Sequence, residues 1–139
     1  MKDTWLIYPM FAMVLLTFST LVRLFRARVA LVKEGKIEVS YYRIYQGAAE
    51  PERSAKLSRH FINQFESPLL FYAACLAAIA VHATSMTLLV LAWLFVVARA
   101  IHAYIHTGSN RLRQRIRAYM ASWAVLLLLW AALVIRIAG

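Results

Sequence analysis

Ser67 to Ala98 is a run of 32 residues without a single Asp, Glu, Lys or Arg. A helix that crosses a hydrocarbon core about 30 Å thick needs about 20 mostly apolar residues. The run is therefore too long for one span and too short for two spans joined by a turn. Something polar must be drawn to membrane depth. The least apolar point inside the run is His82-Ala83-Thr84-Ser85, which reads as a tight turn. Two helices of sufficient length then cover about 57–82 and about 86–107. On that reading Asn63 and Glu66 lie within the membrane, with Arg59, Arg99 and His102 near its edge.

Two further stretches, Trp5 to Val22 and Ala118 to Ile135, each hold 18 uncharged residues. Trp5 and Tyr8 stand where an interfacial aromatic belt would sit. Helices over about 5–30 and 114–137 follow, giving an all-α membrane protein with a bundle of four transmembrane helices in one domain, 1–139. The amino end, Met1 to Thr4, lacks the basic region and cleavage site of a secretory signal, so the first helix is expected to be a retained span. Composition agrees: 63% of the 139 residues are hydrophobic, against roughly 45–50% in soluble domains.

The connections are polar. From Arg23 to Lys56 the chain is mixed and basic, with Gly35, Gly47 and Pro51 as breakers and a Tyr-rich piece at Tyr41, Tyr42 and Tyr45. It reads as a loop, with a helical extension at Arg23 to Val32. Thr107-Gly108-Ser109-Asn110 is a turn signal, followed by Arg111, Arg113, Arg115 and Arg117 in alternate positions.

A net charge of +10 would suggest nucleic acid in a soluble chain. Here all 16 Lys and Arg except Lys2 and Arg136 lie in 23–59 or 99–117. Both regions belong on one side of a four-span protein. The positive-inside rule makes that side cytoplasmic and puts both termini and the His82 to Ser85 turn opposite; if the chain is bacterial, the membrane is the inner or plasma membrane. Topology accounts for the charge, and no nucleic-acid partner is expected. The arginine row from Arg111 to Arg117 has a simple use as an anchor for anionic lipid heads.

Arg59, Asn63 and Glu66 fall at i, i+4 and i+7, which lines them up on one helical face. Arg99, His102 and His106, at i, i+3 and i+7, make a second polar stripe. Ionisable groups in membrane helices face protein or water and default to functional hypotheses. A purely structural use, an interhelical clamp between Glu66 and Arg59, Arg99 or an arginine of another subunit, stays open. No metal site is expected, because His102 and His106 at i, i+4 have no evident third ligand and there is no cysteine pair. The lone Cys75 lies in an apolar run and reads as a small core residue. No serine or cysteine sits in a nucleophile motif beside a base.

These residues resemble the MAPEG superfamily, the membrane-associated proteins of eicosanoid and glutathione metabolism. The most specific element is R-x-x-x-N-x-x-E, here Arg59, Asn63 and Glu66, followed by Pro68-Leu69-Leu70-Phe71-Tyr72. A second is Arg99-Ala100-Ile101-His102, then Gly108 and the arginine-rich start of the last helix. The resemblance implies a homotrimer of four-helix bundles, with glutathione as co-substrate bound between subunits near the cytoplasmic helix ends. It assigns glutathione contacts to Arg59, Asn63 and Glu66, with Arg23 and Arg26 supplied by the neighbouring subunit and Arg99 and His102 beside them. It assigns stabilisation of the thiolate to Arg115 or Arg117.

The chemistry fits. Glutathione carries two carboxylates and an ammonium, which call for arginines and one carboxylate such as Glu66. A thiol with a pKa of about 8.5 is activated by a nearby guanidinium. One departure stands out: His106 occupies a position where several family enzymes carry a ligand-binding tyrosine, and Tyr119 on the last helix is the residue expected to compensate. The expected function is a glutathione-dependent membrane transferase or peroxidase acting on hydrophobic electrophiles or lipid hydroperoxides. The alternative is a non-catalytic scaffold or lipid-binding partner protein on the same fold. A transporter fits less well, since the spans lack broken helices and repeat symmetry.

Overall fold

The computed structural model describes residues 2–46 and 50–139, and all regular structure among them is helical. Gly47, one of the expected breakers, lies outside the described residues. A short 3-10 turn at Asp3–Leu6 leads into α1 (Ile7–Lys33), followed by α2 (Tyr41–Ile44), α3 (Glu52–Asn63), α4 (Ser67–Ala80), α5 (Met86–Thr107) and α6 (Leu112–Ala138). Three helical stretches, Asp3–Lys33, Met86–Thr107 and Leu112–Ala138, are long and apolar enough to cross a membrane. The chain is an integral membrane protein.

Helix α1 contains the expected extension past Arg23 and ends in a Schellman motif. The Lys36 amide donates to Leu31 O and the Gly35 amide to Val32 O, with Gly35 at φ 66°. Within α1 the hydroxyls of Thr17 and Thr20 donate to the carbonyls of Met13 and Leu16. Such bonds satisfy hydroxyl donors that a hydrocarbon surrounding would otherwise leave unmatched.

The single helix expected over 57–82 is instead two. It starts earlier, at Glu52, and breaks over Gln64–Glu66. Pro68 gives the reason. Inside a continuous helix it would remove the bond to the Gln64 carbonyl and its ring would clash there, so the chain turns first and the proline sits in the first turn of α4. The last amides of α3 tighten to i−3 bonds, Gln64 to Phe61 O and Phe65 to Ile62 O. At 14 residues α4 is about 21 Å long, shorter than the hydrocarbon core.

The expected turn after α4 is present. Its Schellman bonds run from Ala83 N to Ala78 O and from His82 N to Ile79 O, with His82 itself in the left-handed region at φ 53°. Ser85 caps α5 by accepting from the Leu88 amide. Asp3 fastens the amino end to this turn, accepting from Thr84 Oγ1 and lying 2.9 Å from His82 Nδ1.

Helices α1, α5, α6 and α4 pack in a ring, each against the next, and α3 lies across α1 and α5. The buried stripe of α5 runs Leu88, Ala92, Phe95, Arg99, His102, His106. It is apolar where it meets Phe71, whose ring stacks on Phe95 at 4.6 Å, and polar over its last two turns. Cys75 is buried in this core, as its surroundings in the sequence suggest.

Candidate functional site

The two faces of α3 do different work. Ser54, Leu57, His60 and, just past its end, Gln64 are buried against the bundle. Arg59, Ile62, Asn63 and Glu66 face the other way and form one wall of a groove of about 370 Å³. His102 and His106 of α5 form its floor, and Arg115, Ile116 and Tyr119 of α6 close it. The volume falls within the range of ligand clefts, roughly 300–1,000 Å³.

Arg59, Asn63 and Glu66 therefore do share a surface, Arg59 and Asn63 through their i, i+4 spacing on α3 and Glu66 by another route. The break after Asn63 turns Glu66 to the same groove, where its Oε2 accepts from Tyr119 Oη at 3.2 Å. Among the described residues Glu66 makes no ion pair, and no arginine clamps it. Arg115 Nη1 donates to Asn110 Oδ1 at 2.7 Å, which braces its guanidinium between the α5–α6 turn and the groove. Of the two candidate arginines only Arg115 lines the groove; Arg117 is exposed elsewhere on α6.

Three other expected contacts are not made from within the chain. Arg23 and Arg26 are exposed on α1, away from the groove lining. Arg99 is completely buried behind the groove and donates from Nη2 to the Asn63 carbonyl at 2.9 Å. It holds the end of α3, whose last carbonyls have no helical partner.

His60 belongs to neither polar stripe of the sequence. The fold brings its ring to 5.6 Å from that of His102 and 5.2 Å from that of His106, which are themselves 5.5 Å apart. Its Nε2 lies 2.8 Å from Gln64 Nε2. The signal was present in the buried spacing of Leu57, His60 and Gln64, but nothing in the sequence says which helix that face meets. Even so, no group of three His, Cys, Asp or Glu among the described residues is disposed to hold a metal ion.

A second groove of about 380 Å³ opens on the other side of the α3–α4 bend. It is almost wholly apolar, walled by Val14, Phe18 and Leu21 of α1 and by Phe61, Phe65 and Leu69.

This arrangement of spans, bend and groove is accompanied by a match to the family model described as MAPEG family, over residues 6–135. The chain belongs to the MAPEG family. The match covers nearly the whole chain and includes every helix that builds the groove. No curated protein and no solved structure matches. MAPEG membership supports a membrane function in glutathione or eicosanoid metabolism in general.

Proposed function

We propose that the protein is a glutathione-dependent membrane transferase or peroxidase acting on hydrophobic electrophiles or lipid hydroperoxides. The observation that carries this reading is the convergence of Arg59, Glu66 and Arg115 on one groove. Arg59 and Glu66 offer opposite charges to the carboxylate and ammonium groups of glutathione, which leaves Arg115 for its thiol. Arg59 and Asn63 take the carboxylates, Glu66 the amine, and Arg115 lowers the pKa of the thiol so that the ligand arrives at its nucleophilic form. The apolar groove across the bend supplies a route by which a lipid-soluble second substrate approaches from the bilayer.

In this reading α3 and α4 together make a fourth, bent crossing, and the basic connections face the cytoplasm. Three copies assemble, and the exposed Arg23 and Arg26 of α1 complete a neighbour's groove. The apolar groove also suits the alternative, a non-catalytic lipid-binding partner protein. One experiment separates the two: the thermal midpoint of the detergent-purified protein against increasing glutathione, with an Arg59→Ala, Glu66→Ala double variant as control. Saturable stabilisation of about 2.7 kcal/mol at 100 times Kd in wild type only supports the transferase. No response from either protein at millimolar glutathione removes it in favour of the lipid-binding partner.

A further inference from the structure

His102 and His106 form the floor of the groove beside Arg115. The ring of His60 closes on them from behind, at 5.6 and 5.2 Å between centroids. The charged and titratable groups about these rings are Arg23 of α1, Arg59 of α3, Arg99 of α5 and Arg115 of α6, with Glu66 and Tyr119 on the groove walls. No carboxylate is hydrogen-bonded to any of the three rings among the described residues. Burial and the arginines both oppose a further positive charge, so the rings are neutral. A neutral imidazole carries one N–H and one bare nitrogen. In His102 and His106 the Nδ1 atom is buried without a hydrogen-bond partner. Orphaned N–H groups are rarer in folded proteins than orphaned acceptors, which leaves Nδ1 bare and puts the proton on Nε2. That nitrogen is also the one left to meet a ligand in the groove.

We infer that His102 and His106 bind the sulfur of the thiol as uncharged Nε2–H donors, favouring the thiolate without taking its proton. The inference rests on the proposed binding of glutathione in the groove. Hydrogen bonds to an ionised acceptor are roughly twice as strong as those to a neutral one, and thiol sulfur accepts only weakly. Two fixed N–H donors therefore favour the ionised sulfur, as preorganised donors favour any developing anion. In the step, the S–H bond breaks with its electron pair left on sulfur, and the proton passes to water. A floor of neutral donors stands among four arginines without repulsion, which an imidazolium could not do. His60 is a positioning residue that fixes the two rings from behind, itself held by Gln64, whose Nε2 lies 2.8 Å from His60 Nε2.

The test compares two ligands that differ only at sulfur. Glutathione sulfonate carries a permanent negative charge there, and S-methylglutathione carries none. Calorimetric titration of the full-length protein in detergent gives the ratio of their affinities, in which contacts common to both ligands, including that of Glu66, cancel. Wild type is expected to prefer the sulfonate, equally at pH 6 and pH 8, because donors that stay neutral do not titrate. His102→Leu and His106→Leu should each lose about tenfold of that preference, the worth of one hydrogen bond to a charged group. His102→Gln and His106→Gln, whose amide N–H falls near the place of Nε2, should keep most of it, and the shorter His102→Asn and His106→Asn should not. Leucine variants that bind S-methylglutathione and keep the full preference overturn the inference. Where leucine abolishes binding of both ligands, the amide variants decide, and equal preference in the glutamine and asparagine forms overturns it. A wild-type preference that grows about tenfold from pH 8 to pH 6 marks a ring that gains charge and also overturns it. Equal binding of the two ligands by wild type removes the inference and leaves the glutathione site standing. Failure of both to bind wild type removes the proposed function, and the inference falls with it.

Discussion

The guanidinium of Arg99 donates to the main-chain carbonyl of Asn63 at 2.9 Å, tying the middle of α5 to the point where α3 breaks. The bond places a cation at a helix C-terminus, where the exposed carbonyls and the helix dipole both favour it. It also sets the angle at which Asn63 and Glu66 meet the groove. Arg99 contributes to the site from behind it.

Arg99→Met is expected to lose this bond and leave the Asn63 carbonyl unmatched, at a cost of about 1–3 kcal/mol. The thermal midpoint in detergent should fall, and saturation by glutathione should need more ligand because the bend relaxes. A buried cation replaced by a well-packed apolar side chain is sometimes neutral or stabilising. A variant as stable as wild type with undiminished ligand response would therefore show that Arg99 does not set the bend.

Arg115 and Arg117 offer a matched pair of substitutions on the same helix. Arg115→Ala should reduce thiol transfer by about 100-fold or more, the loss typical when a group that stabilises developing negative charge is removed. Arg117→Ala, exposed and outside the groove, should leave the rate within a factor of about two of wild type, in line with the small energetic effects of surface changes. The check is turnover of a hydrophobic electrophile at saturating glutathione. Equal losses in the two variants would mean that general positive charge near the membrane surface, and not a placed guanidinium, supports the reaction.

Much of this site could be read in the sequence, and the part that could not has a physical cause. Arg59, Asn63 and Glu66, marked out by their spacing, line one groove, and the turns at His82 to Ser85 and Thr107 to Asn110 fall where the structure has them. The break in the second helix is marked by Pro68 and not by the i, i+4, i+7 spacing of Arg59, Asn63 and Glu66. A proline inside a helical pattern ends or kinks it just upstream. The choice between Arg115 and Arg117, and the arrival of His60 at the α5 histidines, depend on how helices rotate against one another. Side-chain spacing within one helix carries no information about that rotation.

Arg28 binds the polar connection to the bundle. Its Nη2 donates to Ser58 Oγ at 2.8 Å, its Nε pairs with Glu50 Oε1 at 3.4 Å, and its guanidinium lies over the rings of Tyr42 and Tyr45 at 4.9 and 5.5 Å. Burial pushes the Tyr42 hydroxyl above the ordinary tyrosine range. Arg28→Met should release Tyr45 and Glu50 together, seen as faster protease cleavage around Tyr45 with the transmembrane helices still intact. Arg28→Lys should fall between, since an ammonium lacks the planar fork that contacts Ser58, Glu50 and both rings at once.

Gly108 and Gly35 both follow long helices, yet substitution should fail for different reasons. A Cβ on Gly108 would stand 2.8 Å from the Tyr104 carbonyl oxygen, a main-chain atom that cannot step aside without moving the end of α5. At Gly35 nothing lies within 4 Å, and the obstacle is the left-handed backbone at φ 66°. Gly35→Ala should cost about 1–2 kcal/mol, the strain of a side chain in that region. Gly108→Ala should cost about 1–3 kcal/mol, the usual penalty for forcing atoms into filled space. The decisive difference lies in the ligand response. Movement at Gly108 passes to Asn110 and through its 2.7 Å bond to Arg115, so Gly108→Ala should weaken glutathione stabilisation, whereas Gly35→Ala should lower the midpoint and leave that stabilisation unchanged. Equal ligand responses in the two variants would mean that the Asn110 to Arg115 bond does not hold the groove in shape.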